Sequence, residues 1–285
     1  LDESIIWKAK CNIRLEQEGL AIELLKKLLK KEKINQKNKA HANAVLAMAY
    51  FQREELASSE EALKIAADLE TNKITKVRYL YILGQLLEKQ SKLDSANIYF
   101  KKVAEFKRKI PREFYINAKL KNLLYDSLNI KKKEDQILKM IKNYENEDFL
   151  DKIYYSYSTL LFSNDSKNDG IKFLNKAMRE NSSDNDLLSR SYRKLSDIYL
   201  KDSKYLMAGK YLDSTMSSLD KKSKTFWEAQ RQRKGLSQIM ELENKIRLFD
   251  SLIRISSYDE EKLKNILDQI KAQEKNLDEE RSSDR

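Results

Sequence analysis

What most constrains this chain is a repeated pairing of two apolar helical stripes, each interrupted by one small residue. In residues 78–103, RYLYILGQLLEKQSKLDSANIYFKKV, Leu80, Leu83, Gly84 and Leu87 fall on one helical face. A polar break around 90–93 follows, and Ala96, Phe100 and Val103 then form a second stripe. Backbones approach closely only where side chains are small, so Gly84 and Ala96 mark the expected helix–helix contact. Bulky Leu, Tyr and Phe fill the remaining space.

The same grammar recurs in residues 43–66 (Leu46, Ala47, Tyr50, then Ser59, Leu63, Ala66) and in 154–177 (Tyr154, Tyr157, Ser158, Leu161, then Gly170, Leu174, Ala177). Residues 192–215 repeat it with Tyr192, Leu195, Ser196, Tyr199, then Ala208, Leu212 and Thr215. A weaker first unit holds Ile5, Ala9, Ala21, Leu25 and Leu28. With Ala118 filling one gap, the small first-helix positions Ala9, Ala47, Gly84, Ala118, Ser158 and Ser196 lie 38, 37, 34, 40 and 38 residues apart. This resembles the tetratricopeptide pattern. It predicts an all-α, tetratricopeptide-like, right-handed superhelical solenoid of about six helical hairpins over residues 1–223. The unit around Ala118 is the least regular: a basic turn at 131–133 precedes a helix with only Ile137, Leu138, Met140 and Ile141.

Beyond residue 223 the grammar changes. Residues 225–256 read as one long helix with Trp227, Leu236, Ile239, Leu242, Ile246, Phe249 and Ile253 along its apolar side. A break at 256–258 precedes a shorter helix, about 259–279, with Leu263, Ile266, Leu267 and Ile270 as its stripe. The region 224–280 is thus expected to cap or connect the repeats, and 281–285 to form a loose charged tail.

Composition supports helices. Of 285 residues only 5 are Gly and 1 is Pro, too few for a chain of hairpin strands. Charged residues make up 35%, yet 41% are hydrophobic and recur at helical spacing, which excludes overall disorder. The net charge of +11 permits an anionic partner without choosing one. Its excess is local, with fifteen Lys and Arg against six Asp and Glu between Lys89 and Lys142. No apolar run approaches the roughly 18 residues of a membrane span. The chain opens in mid-pattern at Leu1–Trp7, which predicts a fragment or processed form whose targeting information lies outside it.

The chemistry-bearing motifs are missing. His41 is the single histidine and Cys11 the single cysteine, so neither a metal cluster nor a disulfide framework is expected. No glycine-rich phosphate loop, HExxH or GxSxG occurs, and carboxylates such as Glu54, Glu55, Glu60 and Glu61 suit a solvated surface. The chain therefore reads as no enzyme, with no catalytic residues, metal or cofactor. Lys101, Lys102, Lys107, Arg108, Lys109, Arg112, Lys119 and Lys121 would make a phosphate footprint if they shared a face. They spread over three predicted helices, so specific nucleic-acid binding is not expected. Lys119, Asn122 and Arg193 are scattered candidates for a clamp on a peptide carboxylate.

Fifteen tyrosines are more informative for binding. Tyr81, Gln85, Tyr155, Thr159, Phe162, Arg193 and Asp197 occupy equivalent outward positions on the first helices of three repeats. Such positions line the inner groove of a tetratricopeptide array, where a partner segment lies. Phe162 stands out, because Leu161 already takes the buried place; the alternative is that Phe162 folds back over its own hairpin.

Two stretches, an early run and the ending, carry a more specific resemblance. The early run is WKAKCNIRLEQEGLAIELLKKLL with the later VRYLYILGQLLEKQSKLDSANIYFKKV; the ending is YLMAGKYLDSTMSSL, the helix around 242–249 and IRISSYDEEKLKNILDQIKAQEK. Together they resemble the SprE/PorW family, the periplasmic tetratricopeptide lipoproteins of the Bacteroidota type IX secretion and gliding-motility system. The resemblance spans most of 7–275, and the Asp213–Ser214–Thr215 helix followed by SYDEEKL is its most telling part. It implies an outer-membrane-associated periplasmic scaffold, without catalytic residues, that links the translocon to periplasmic components of a secretion or motility complex. The family's lipid-bearing cysteine has no counterpart here: Cys11 lies inside a helical stripe with no apolar signal segment before it. Membrane association would come only through a lipidated N-terminus absent from this chain. The competing expectations are a cytoplasmic tetratricopeptide adaptor or regulator and a basic, nucleic-acid-binding solenoid.

Overall fold

The computed structural model describes residues 2–180, 184–269 and 271. Twelve helices form six consecutive pairs: α1 (Asp2–Arg14) with α2 (Glu18–Leu29), α3 (Gln36–Gln52) with α4 (Leu56–Leu69), and α5 (Lys73–Lys89) with α6 (Leu93–Glu105). The next three pairs are α7 (Arg112–Tyr125) with α8 (Ile130–Lys142), α9 (Leu150–Ser163) with α10 (Lys167–Glu180), and α11 (Asn185–Lys201) with α12 (Tyr205–Ser217). Then come α13 (Lys224–Gly235), α14 (Ser237–Ser256) and a helix over 260–269. No strand occurs among the described residues. Packing divides the chain into two compact units, Leu1–Ser182 and Ser183–Arg285. The change of grammar at residue 224 falls inside the second unit, where α12 packs against both α13 and α14.

Five of the six pairs are closed by the same three-residue turn. Its middle residue, Glu16, Glu54, Ser91, Asp165 or Ser203, is left-handed with φ between 56° and 61°. The next N–H reaches back five residues, as in Lys92 N to Leu87 O at 2.9 Å and Ser166 N to Leu161 O at 3.0 Å. This Schellman-type closure satisfies a carbonyl that the helix end would leave orphaned. Glycine is the usual residue there, yet none of the five turns uses it. Each L-residue accepts a conformation that costs roughly 1–2 kcal/mol.

The small residues sit where the turns bring the helices together. A Cβ added to Gly84 would lie 2.7 Å from Phe100 Cε1, so the fully buried Phe100 ring rests directly on the α5 backbone. Ser59 Oγ donates to Ala47 O at 2.8 Å, and Ser196 Oγ donates to Ala208 O at 3.0 Å, tying the corresponding points of two other hairpins. Leu46, Leu63, Leu80, Leu87, Leu174, Leu195 and Leu212 are buried as the stripes require. Tyr154, Tyr192 and Tyr199 are only half-buried, and Tyr199 stacks on Tyr211 at 5.4 Å.

Two expectations are corrected. First, Ala118 does not face its own partner helix. It joins the core built by α1–α6, and Asn122 on the same side of α7 donates to Asn97 Oδ1 of α6 at 2.8 Å. Ile116, Leu120 and Leu123, none of them small, enter instead the core that α7 shares with α8 and α9. The true repeat is clearer in the second helices, whose fourth residues Ala21, Ser59, Ala96, Lys133, Gly170 and Ala208 lie 37 or 38 apart. Second, 225–256 is not one unbroken helix. It divides at Leu236, just after Gly235, while Met240 seats on Gly209 and fixes α14 to α12. The expected shorter helix is present over 260–269; Ile270, its continuation beyond Lys271 and the tail 281–285 lie outside the described residues. No helix among the described residues is long and apolar enough to cross a membrane.

Candidate functional site

Helix α3, QKNKAHANAVLAMAYFQ, is apolar on more than one side. Val45, Leu46, Ala49 and Tyr50 enter the core, which leaves Ala44, Met48 and Phe51 facing outward beside α5. On α5, Tyr79, Ile82, Gln85, Leu86 and Lys89 line the facing wall, and Ser59 and Leu63 of α4 help to form the floor. The cavity between them measures about 480 Å³. It opens because Ala44 and Ala47 supply so little side chain. Met48, Phe51 and Ile82 remain 47%, 41% and 42% exposed, although helices with buried cores hold them in place.

The groove has one charged end. Lys89 Nζ stands 4.4 Å above the Phe51 ring, a cation–π contact that holds the ammonium at the lip. Half-buried Tyr79 has its phenol pushed above the usual range, first by burial and then by Glu70. Apolar walls with a cation at one end suit an apolar side chain next to an acidic one on a partner segment.

Of the expected site residues, Gln85 lines this groove. Tyr81 belongs elsewhere: its half-buried ring packs edge-on against Phe100 at 5.6 Å and Phe114 at 6.0 Å, inside the contact between hairpins. Tyr155 and Thr159 are half-buried on α9, where Thr159 Oγ1 donates to Tyr155 O at 3.1 Å. Phe162 is not an exposed anchor. A Cβ on Gly170 would come within 2.5 Å of its Cε1, so the ring covers α10 and closes its own hairpin. Arg193 and Asp197 form a partly exposed pair at 3.5 Å along α11 in the second unit. Within the first unit Tyr81, Gln85, Tyr155, Thr159 and Phe162 therefore do not form one site, and α7 packs between α5 and α9. Met48, Phe51, Ile82 and Lys89 were missed; the available signal was a second apolar stripe, Ala44, Met48 and Phe51, beside the core stripe of α3.

Much of the basic run is engaged within the fold. Arg108 donates to Glu145 at 2.5 Å, Arg112 to Asn146 at 2.5 and 2.9 Å, and Lys121 to Glu88 at 2.5 Å. Lys119 donates to Gln136 at 2.7 Å, and burial holds its ammonium below the usual lysine range. With Asn122 bound to Asn97, the scattered carboxylate-clamp residues have other partners. Burial, then Lys10, keeps half-buried His41 below the usual imidazole range, and Cys11 is exposed on α1. No group of three or more His, Cys, Asp or Glu among the described residues is placed to hold a metal ion.

The sequence matches no family model and no curated protein. Among solved structures it is similar to YrrB, a TPR protein with an unusual peptide-binding site, at 14% identity and TM-score 0.45, over 62% of this chain and 84% of that one. It is similar to Pseudomonas aeruginosa pilF at 16% identity and TM-score 0.47, over 81% and 97%. It also resembles a chain of the APC/C hetero-tetramer Cut9–Hcn1 at 14% identity and TM-score 0.49, over 81% of this chain and 42% of that one. At such values the class rests on the hairpins themselves. Paired helices, small residues at their contacts and a repeat of 37 or 38 residues define a tetratricopeptide-like helical repeat protein.

Proposed function

We propose that this chain is a non-catalytic scaffold that grips a partner protein in the groove between α3 and α5. The observation that carries this reading is the exposure of Met48, Phe51 and Ile82 around a 480 Å³ cavity on well-packed helices. Clustered apolar side chains on rigid elements are how repeat proteins present binding energy. The SprE/PorW resemblance supports a finer reading, in which the partner is a component of the type IX secretion and gliding machinery. The chain would then work in the periplasm at the outer membrane, linking translocon and periplasmic components through a protein anchored by a lipidated N-terminus. A cytoplasmic adaptor would use the same groove; an upstream signal peptide with a lipidation cysteine separates the two.

The test is crosslinking in cells with a photoreactive residue at Met48 or Ile82, followed by affinity measurement on the partner caught. Met48→Glu should weaken that partner about ten-fold or more, whereas Phe162→Ala, remote from the groove, should leave it unchanged. If a Met48→Glu protein that melts like the wild type holds the partner with undiminished affinity, the groove is not the binding site.

A further inference from the structure

Helix α14 carries Ile239, Leu242, Ile246, Phe249 and Ile253 at alternating spacings of three and four residues. All five are exposed, between 40% and 67%. A different side of the helix holds it to α12. There Met240 is buried over Gly209, and the Glu243 carboxylate accepts the Leu206 N–H at 2.7 Å, serving the α12 start that Lys204 does not cap. The five-residue stripe is therefore a second face, without a partner among the described residues.

Its pattern and its flanking charges suit one kind of occupant. A strict three–four alternation suits a helix wound around another helix, and with Ile239 at heptad position a, isoleucine fills every a position while Leu242 and Phe249 fill d. In a parallel coiled coil, β-branched residues at a with Leu at d favour two strands over three or four, and Phe249 takes the second d position. The flanking charges agree. Lys245 falls at g and Asp250 at the following e, so in a parallel pair of copies each Lys245 meets the other copy's Asp250. An antiparallel pair would oppose Lys245 to Lys245. Along its own helix Lys245 also pairs with Glu241 at 2.8 Å. The charges outside the seam core balance, Arg247 and Arg254 against Glu243 and Asp250, unlike the basic face that an anionic membrane attracts, while Leu248 and Ile255 are exposed at c, outside the seam. From Ile239 to Ile253 the seam runs about 21 Å, two heptads, and exposed Leu252 at g widens it.

We infer that α14 is a parallel two-stranded coiled-coil seam that pairs this chain with a second copy of itself. The inference is independent of the groove between α3 and α5. Sedimentation equilibrium of the full chain across the micromolar range tests it. The wild type should follow a monomer–dimer equilibrium, and Ile246→Asp should be monomeric with an unchanged helical spectrum. Lys245→Glu should weaken pairing by a factor of about five, and Lys245→Glu with Asp250→Lys should restore it. In a Cys11→Ser background, Ser256→Cys at the next d position should give a reducible interchain disulfide. A wild type that stays monomeric, a trimer, a dimer that survives Ile246→Asp, a charge swap without recovery, or the absence of that crosslink would each overturn the proposal. So would monomeric wild type that binds anionic phospholipid vesicles through this face.

Discussion

Hairpins α5/α6 and α7/α8 are neighbours of similar length, yet they are held together by different means. In α5/α6 the turn is the left-handed three-residue closure at Ser91, and Gly84 lets the Phe100 ring lie on the backbone. In α7/α8 the turn has four residues, Asp126 to Asn129, and none is left-handed. Asp126 and Asn129 accept backbone N–H groups there instead, from Leu128 and Lys132, each at 2.9 Å. At the small-residue position of the second helix stands Lys133, buried, donating to Leu124 O at 3.2 Å in the last turn of α7. Buried Asn146 adds a bond to Met140 O at 2.8 Å. A repeat array thus tolerates a long side chain at a crowded position when its polar end satisfies a helix terminus. The cost is that α7 turns its small residue toward α6.

The largest expected effect tests close approach. Gly84→Leu should destabilise by about 1–3 kcal/mol in a urea melt, because the Phe100 ring has nowhere to go. A neutral result would mean that α5 and α6 are not in contact at this point. Next comes the polar substitute. Lys133→Ala should cost about 1 kcal/mol, since the Leu124 carbonyl loses its donor. A gain in stability would show that α8 can close onto α7 as the other second helices do, which would erase the contrast. The smallest effect concerns the turns. Ser91→Gly should stabilise by about 0.5–1 kcal/mol by relieving a left-handed L-residue. Ser127→Gly, in the turn without a left-handed residue, should instead destabilise by about 0.5 kcal/mol through unfolded-state entropy. Equal signs at the two sites would refute the difference between the turns.

Much of the core was legible in the sequence because helical periodicity and side-chain size are local properties. Leu83, Gly84, Leu87, Ala96 and Phe100 are buried where the stripe places them. The turns were hidden, since Glu16, Glu54 and Asp165 carry no sequence mark of a left-handed backbone. The site was mostly illegible. Gln85 lines the groove, but Tyr81, one turn away, packs between hairpins, and its one-dimensional position resembles that of a groove residue. Phe162 shows the same limit. Its exposure depended on whether Gly170 would receive its ring, and that pairing joins residues on two helices.

By itself the sequence determined a chain of paired helices with one small residue at each regular contact, because those signals lie within single helices. Only the tertiary structure decided which neighbour a small or apolar residue serves. A helix inside an array is flanked on several sides, so Ala118 had both α6 and α8 available and packs with the α6 side. Ala44, Met48 and Phe51 read as a stripe ready for burial, yet the spacing of α3 and α5 leaves them open. Burial depends on the distance to the next helix, and that distance is set jointly by side chains far apart in the chain.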